Sequence, residues 1–285
     1  MGTPATVRPM RGDELGFAAS LTLGEQWHSE TIEEFEAFFA HDPAGCLVAE
    51  LDARPVGIGV ATAYGTVGFL GQIVVAPGLR GQGIGDALVA GLLRHLQSAG
   101  VSSVYLDATA AGAPLYQRHG FRTLQPSLRY AGIVAGSADP RVRPMRAADL
   151  DAVCALDRGW WGADRGFFLR RRRALHPGLA MLLEQDGAIE GYVLGRRRGD
   201  RVWIGPWCAG ERVEGPESLL AALAPPGTRI QVHAGTLYGS ERGVQALERL
   251  GLAATTTAPW RMVRGPATGL GCHPAVLANG TSAKG

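Results

Sequence analysis

The chain has 285 residues, 46% hydrophobic and 19% charged, with a formal net charge of +2 at pH 7. That length predicts two globular domains, and the near-neutral balance excludes nucleic-acid or membrane partners recruited by bulk charge. No apolar run of about 18 residues exists to span a bilayer, and Met1–Leu15 holds no signal-peptide core, so a cytoplasmic location is expected. Cys46, Cys154, Cys208 and Cys272 lie far apart without a CxxC pair, which predicts reduced thiols and no metal site. Lys284 is the sole lysine, and with the abundant Ala and Gly this fits a GC-rich bacterial coding bias.

In chain order, Thr6–Met10 predicts a strand, and helical material runs with breaks from Asp13 to Phe39. Ser29 or Thr31 can cap its second part, where Ile32, Phe35, Phe38 and Phe39 recur at helical spacing. Cys46–Leu51 and Val56–Tyr64, joined by a turn at Asp52–Pro55, predict a hairpin. Val67–Ala76 is the next strand. A long helix follows over about Gly83–Gln97, with Leu88, Leu92 and Leu96 on one stripe. Val101–Ala108 reads as a strand, Ala113–Gly120 as a short helix and Phe121–Tyr130 as a last strand.

The chain then repeats itself. Residues 7–15 read VRPMRGDEL and residues 142–150 read VRPMRAADL, six of nine identical, with Glu14 matching Asp149. Gly57-Ile58 matches Gly191-Tyr192, and Tyr116–Phe121 aligns with Leu247–Leu252. These collinear matches predict two copies of one fold: a domain at 1–131, a linker at 132–140, a second domain at 141–265 and a partly loose tail at 266–285.

Between the strand ending at Ala76 and the long helix lies Pro77-Gly78-Leu79-Arg80-Gly81-Gln82-Gly83-Ile84-Gly85. Glycines let backbone N–H groups converge where a loop enters a helix, and the helix dipole adds positive potential there, so this is a phosphate cradle that needs no lysine. A Walker loop requires Gly-Lys-Ser/Thr, which is absent. A dinucleotide fingerprint requires glycine where Asp86 stands, and follows its fold's first strand.

Arg80-Gly81-Gln82-Gly83-Ile84-Gly85 resembles the pyrophosphate loop of GNAT acetyltransferases, and Ile73–Pro77 looks like the strand before it. Leu106–Thr109 and Pro114–Phe121 are similar to the family's second cofactor segment, with Tyr116 four residues before Gly120-Phe121. The resemblance implies an α/β (α+β) fold: two tandem GNAT-like domains, each a mixed, mostly antiparallel sheet flanked by helices. It implies acetyl-CoA as cosubstrate, held by Ile73, Val74, Val75, Arg80, Gly81, Gln82, Gly83, Ile84, Gly85 and Asp86, with a strand bulge or splay freeing backbone N–H groups. Tyr116 would also contact the cofactor and act as general acid. The implied reaction is direct attack on the acetyl group by the primary amine of a small molecule. A protein or peptide acceptor and a non-catalytic acetyl-CoA sensor are the alternatives.

The base is open. Where many members place Glu, the fourth strand has Gln72, so the candidates are Glu25, His28, Glu30 or a water chain. The second copy resembles a degenerate GNAT module. Its loop, Ala209–Pro216, lacks the G-x-G and carries Glu211 and Glu214, and Leu247 replaces the tyrosine, so no CoA binding is expected there. Its five tryptophans, Trp160, Trp161, Trp203, Trp207 and Trp260, read mainly as core, or else as an aromatic wall for a cationic acceptor with Asp157 or Asp164. The runs Arg170–Arg173 and Arg196–Arg198 read as solvated faces. A repeat within one chain implies a monomeric pseudo-dimer, or else a homodimer.

Overall fold

In a computed structural model that describes residues 5–27, 30–255 and 257–280, the chain forms two compact units. Among these residues, the first unit comprises those up to Leu124 with Met262–Ala267, and the second those from Gln125 to Arg261 with those from Thr268 onward.

The first unit runs β1 (Thr6–Pro9), α1 (Leu15–Gly24), α2 (Ile32–His41), β2 (Cys46–Leu51), β3 (Arg54–Tyr64), β4 (Val67–Val75), α3 (Ile84–Ser98), β5 (Ser103–Ala108) and α4 (Ala113–Arg118). The elements predicted up to Gly120 are all present, each within about two residues. Strands β1 to β4 pair antiparallel in sequence order, and β4 pairs parallel with β5. Leu88, Leu92 and Leu96 of α3 are fully buried with Leu47, Leu70 and Val104, so the four-residue stripe packs the helix on the sheet. Truncating any one of them to Ala should cost about 2–5 kcal/mol.

The chain continues through β6 (Arg122–Ala135) into the second unit: β7 (Val142–Pro144), α5 (Leu150–Trp161), α6 (Gly166–Leu175), β8 (Ala180–Gln185), β9 (Ala188–Arg198), β10 (Arg201–Ala209), α7 (Ser218–Ala221), β11 (Arg229–Leu237), α8 (Glu241–Arg249), β12 (Ala253–Ala254), β13 (Trp260–Arg264) and β14 (Val276–Ala278). The repeated order confirms two copies of one fold. The long helix α3 has only the single turn α7 as its counterpart.

Two segments differ from expectation. Residues 132–135, expected in a linker, are strand: β6 pairs β11 from Ser127↔Leu237 to Ala135↔Arg229. A distant partner satisfies this backbone, and Val134 is buried with the second unit's core. Part of the segment expected in the tail is ordered core. Ala275–Ala278 are buried, and β14 pairs β10 antiparallel.

The units also trade material. Most of β6, the last strand of the first repeat, belongs to the second unit, whereas Met262–Ala267 belong to the first. Met262 is fully buried in the first unit's core, on a strand neighbouring β5.

The repeated motif VRPMR has a structural use. Arg8 binds Glu14 at 2.7 Å and Glu50 at 2.6 Å. Arg143 repeats this with Asp149 at 2.7 Å and Glu184 at 2.6 Å. Each triad ties the first strand of its unit to the following turn and to the neighbouring strand. The hydrogen bonds from Arg8, helped by the Arg11 N–H, hold the Glu14 carboxyl below the usual range against the opposing effect of burial.

In the second unit Trp161 and Trp207 are fully buried, as a core reading requires, while Trp260 is exposed. Asp157 is not available to an acceptor. It is buried against Arg165 (2.8 Å), accepts from the Tyr192 hydroxyl, and Arg165 lies 4.3 Å from the Trp161 ring centroid. Asp164 pairs with Arg158. The arginine runs are not wholly solvated: Arg172 and Arg196 are buried, and Arg172 donates to Gly205 O at 2.6 Å. Among the described residues no helix is long and apolar enough to cross a membrane.

Candidate active site

After Val75 the chain makes one 3-10 turn at Pro77–Leu79 and reaches α3 through Arg80, Gly81, Gln82 and Gly83. Gly81 and Gly83 have φ of +76° and +80°, a left-handed geometry that costs an L side chain about 1–2 kcal/mol. A Cβ on either would meet no protein atom within 4 Å, so conformation, not packing, selects glycine. The first bond of α3 runs from Ala87 N–H to Gly83 O at 3.0 Å. The N–H groups of Ile84, Gly85 and Asp86 therefore have no partner within the helix and sit at its positive end. This geometry suits a pyrophosphate. The Ile84 side chain lies in the core and Gln82 is exposed, so Ile84 can contribute only its backbone.

Arg80 braces the loop. Its Nε donates to Val75 O at 3.0 Å and its Nη2 to the Glu25 carboxylate. Glu25, a candidate base, is thus engaged at the glycine loop. Asp86 is clamped from α4: Arg118 lies 3.0 Å away and His119 3.3 Å, and Arg118 chiefly lowers the Asp86 pKa. Its carboxylate therefore tethers α4 to the loop helix, leaving only its N–H for a cofactor. Gly85 faces α4 closely: a Cβ there would sit 3.3 Å from Leu115 Cδ2.

Tyr116 stands on α4, in edge contact with Phe121 at a centroid distance of 6.0 Å. Loss of water around the hydroxyl pushes its pKa up to about 12, so it keeps its proton throughout the neutral range.

β4 carries the expected irregularity. It pairs β5 over Val67–Phe69. On the other side, Ile58↔Val74 and Val60↔Gly71 leave Gln72 and Ile73 opposite Gly59 alone, which is a β-bulge. Gln72 has φ +56°, strain of order 1–3 kcal/mol of the kind concentrated at functional sites. The bulge turns the Gln72 side chain inward, where its Nε2 donates to Glu30 Oε2 at 2.6 Å; both residues are buried. Val74 is buried, whereas Ile73 and Val75 are half-buried at the end of the strand. Of the two candidate bases among the described residues, Glu30 bonds a β4 side chain and Glu25 pairs with Arg80. His28 lies outside the described residues.

Sequence reading missed the roles of Gln72, Arg118 and His119. The Gln72–Glu30 contact spans 42 residues, and nothing in the local pattern announces it.

The Acetyltransferase (GNAT) family matches residues 13–121, and an Acetyltransferase (GNAT) domain family matches residues 153–270. A holothin acyltransferase from Pseudoalteromonas sp. is 26% identical over 237 residues, 81% of this chain and 79% of its own length. A mycothiol acetyltransferase from Streptomyces avermitilis is 36% identical over 95 residues, 31% of this chain and 30% of its own. A glucosamine 6-phosphate N-acetyltransferase from Trypanosoma brucei brucei is 34% identical over 93 residues, 32% of this chain and 61% of its own. The fold matches the crystal structure of an acetyltransferase candidate from Pyrococcus horikoshii, with TM-score 0.81 and 20% identity over 100% of this chain and 97% of that one. A GCN5-related N-acetyltransferase from Sphaerobacter thermophilus matches with TM-score 0.63 and 14% identity over 98% of both chains. Two GNAT domains in series, on the GNAT fold, place this chain in the GNAT acetyltransferase superfamily as a tandem-module acyltransferase.

Proposed function

We propose that the first module transfers an acetyl group from acetyl-CoA to the amine of a small-molecule acceptor, with Glu30 as general base and Tyr116 as general acid. The observation that carries this is the convergence on one strand–loop–helix unit of a left-handed glycine cradle, a bulge that presents Gln72 to Glu30, and α4 tethered through Asp86. The relatives' names support a small acceptor: holothin, mycothiol and glucosamine 6-phosphate.

Acetyl-CoA supplies an acyl carbon already activated as a thioester. The loop N–H groups bind its pyrophosphate, and the open edge of β4 past Phe69 aligns its pantetheine arm. Glu30, fixed by Gln72, first takes a proton from the acceptor ammonium; the free amine then attacks the acyl carbon, and the nitrogen's second proton leaves as the tetrahedral species collapses, replacing the one that Tyr116 gives to sulfur. Tyr116 hydrogen-bonds the departing sulfur. With its pKa about 12 and an ordinary thiol near 8.5, prior proton transfer would run uphill by roughly 3–4 pK units. The proton therefore crosses as the C–S bond breaks.

The test is release of CoA thiol from acetyl-CoA with small amines, amino sugars, amino acids and peptides side by side. Turnover with a small amine supports the reading. Turnover confined to peptides, or acetyl-CoA binding with no turnover on any acceptor, overturns it.

A further inference from the structure

The second module shows what became of its cofactor path. β10 pairs β11 in parallel only from Arg201↔Gln231 to Ile204↔Ala234, as β4 pairs β5 only over Val67–Phe69. In each module the two strands then diverge, and in the first this is the edge assigned above to pantetheine. In the second, β14 fills the divergence. Trp207 pairs with Ala278 and Cys208 with Val276, Ala209 N–H donates to Ala275 O at 2.9 Å, and Asn279 N–H donates to Gly235 O at 2.8 Å. One segment thus bonds β10 on one side and β11 on the other.

The surrounding residues are shaped for it. A Cβ on Gly243 of α8 would stand 2.3 Å from Leu277 O, and one on Gly205 1.9 Å from Asn279 O. Ser240 Oγ donates to Val276 O at 2.9 Å. The former loop is inverted in polarity. Carbonyls of Ala209, Gly210 and Val213 converge on the Arg242 guanidinium at 2.6, 2.9 and 2.8 Å. A ring of carbonyl oxygens around a cation offers a pyrophosphate no N–H donors.

We infer that the second module's cofactor cleft is a strand-accepting slot permanently occupied by the chain's own segment Ala275–Asn279, with Arg242 closing the phosphate end, so that the chain carries one CoA site. The segment takes the path of the pantetheine arm and supplies the same strand-edge hydrogen bonds. The count of one CoA rests on the proposed role of the first module; the occupied slot does not.

Three measurements on the full chain test it. Calorimetric titration with acetyl-CoA should give one equivalent for the wild type and none for Gly83→Val. A second equivalent, or one that survives Gly83→Val, overturns the inference. A wild type that binds none overturns the first-module reading instead, and hydrogen exchange then decides the inference alone. The amides of Val276–Asn279 should exchange at least about a hundredfold more slowly than in a free peptide, equally with and without acetyl-CoA. Fast exchange, or exchange accelerated by acetyl-CoA, overturns it. Finally, Gly→Ala inside a helix ordinarily stabilises. Gly243→Ala should do the reverse, lowering the Tm and speeding exchange at Val276–Asn279 about tenfold or more. A variant as stable as wild type with unchanged exchange would show that the segment is not docked there.

Discussion

Gln72 Nε2 donates to Glu30 Oε2 at 2.6 Å, between two buried side chains that are 42 residues apart in the chain. The bond aims a carboxylate that α2's leading loop supplies with an amide that β4 supplies. Glu30→Gln should therefore lower kcat by roughly 10²-fold or more while leaving the KM for acetyl-CoA within a few-fold. Gln72→Ala, which frees the carboxylate to move, should give a smaller loss in kcat. A Glu30→Gln enzyme with wild-type kcat would transfer the base role elsewhere.

Tyr116→Phe should reduce kcat about tenfold or more with little change in acetyl-CoA affinity. The working form is the protonated phenol, and its pKa stands at about 12. Activity carried by this group is therefore complete at neutral pH and declines only as pH rises towards that value. Steady-state rates measured up to pH 10 should show no basic limb that Tyr116→Phe removes.

Glu14 is buried and receives Arg8 and the Arg11 N–H. Its folded pKa is depressed, so its stabilisation is present above the unfolded value of about 4.3 and is lost as pH falls through the folded one. Glu14→Gln should cost about 1–3 kcal/mol at pH 7, and the gap should shrink near pH 3. Urea unfolding at both pH values would measure it. A gap independent of pH would mean that shape, not charge, is what Glu14 contributes.

Asp157→Asn leaves Arg165 buried at 3% side-chain exposure without its anionic partner. A loss of about 3–5 kcal/mol in stability is expected, read as a lower Tm. The KM for the acceptor should stay unchanged, because this cluster is core. A raised acceptor KM in a folded variant would restore the aromatic-wall reading.

Met262 sits at 0% exposure in the first unit's core. Residues 1–131 expressed alone should therefore lack cooperative unfolding by circular dichroism. In the full chain, Met262→Ala should destabilise by about 2–5 kcal/mol. A fragment that unfolds cooperatively would show that the late strand is dispensable.

The sequence by itself determined the repeat, the element order of the first copy and the glycine loop that leads into α3. These depend on local rules: periodicity in α3, turn residues at Asp52–Ala53, and glycines before a helix at Gly81 and Gly83. The VRPMR match corresponds in the structure to a pair of equivalent ion triads, because like residues at like positions meet like partners. Tertiary structure alone decided which candidate base meets β4, which tryptophans are core, where the last strands go and what fills the second cleft. Each depends on backbone or side-chain groups finding partners dozens of residues away, as Gln72 finds Glu30 and β14 finds β10. The residues 275–279 look like a loose tail because small residues carry no periodic signal. They become a strand only because β10 and β11, already diverging, leave backbone donors and acceptors that burial requires to be paired.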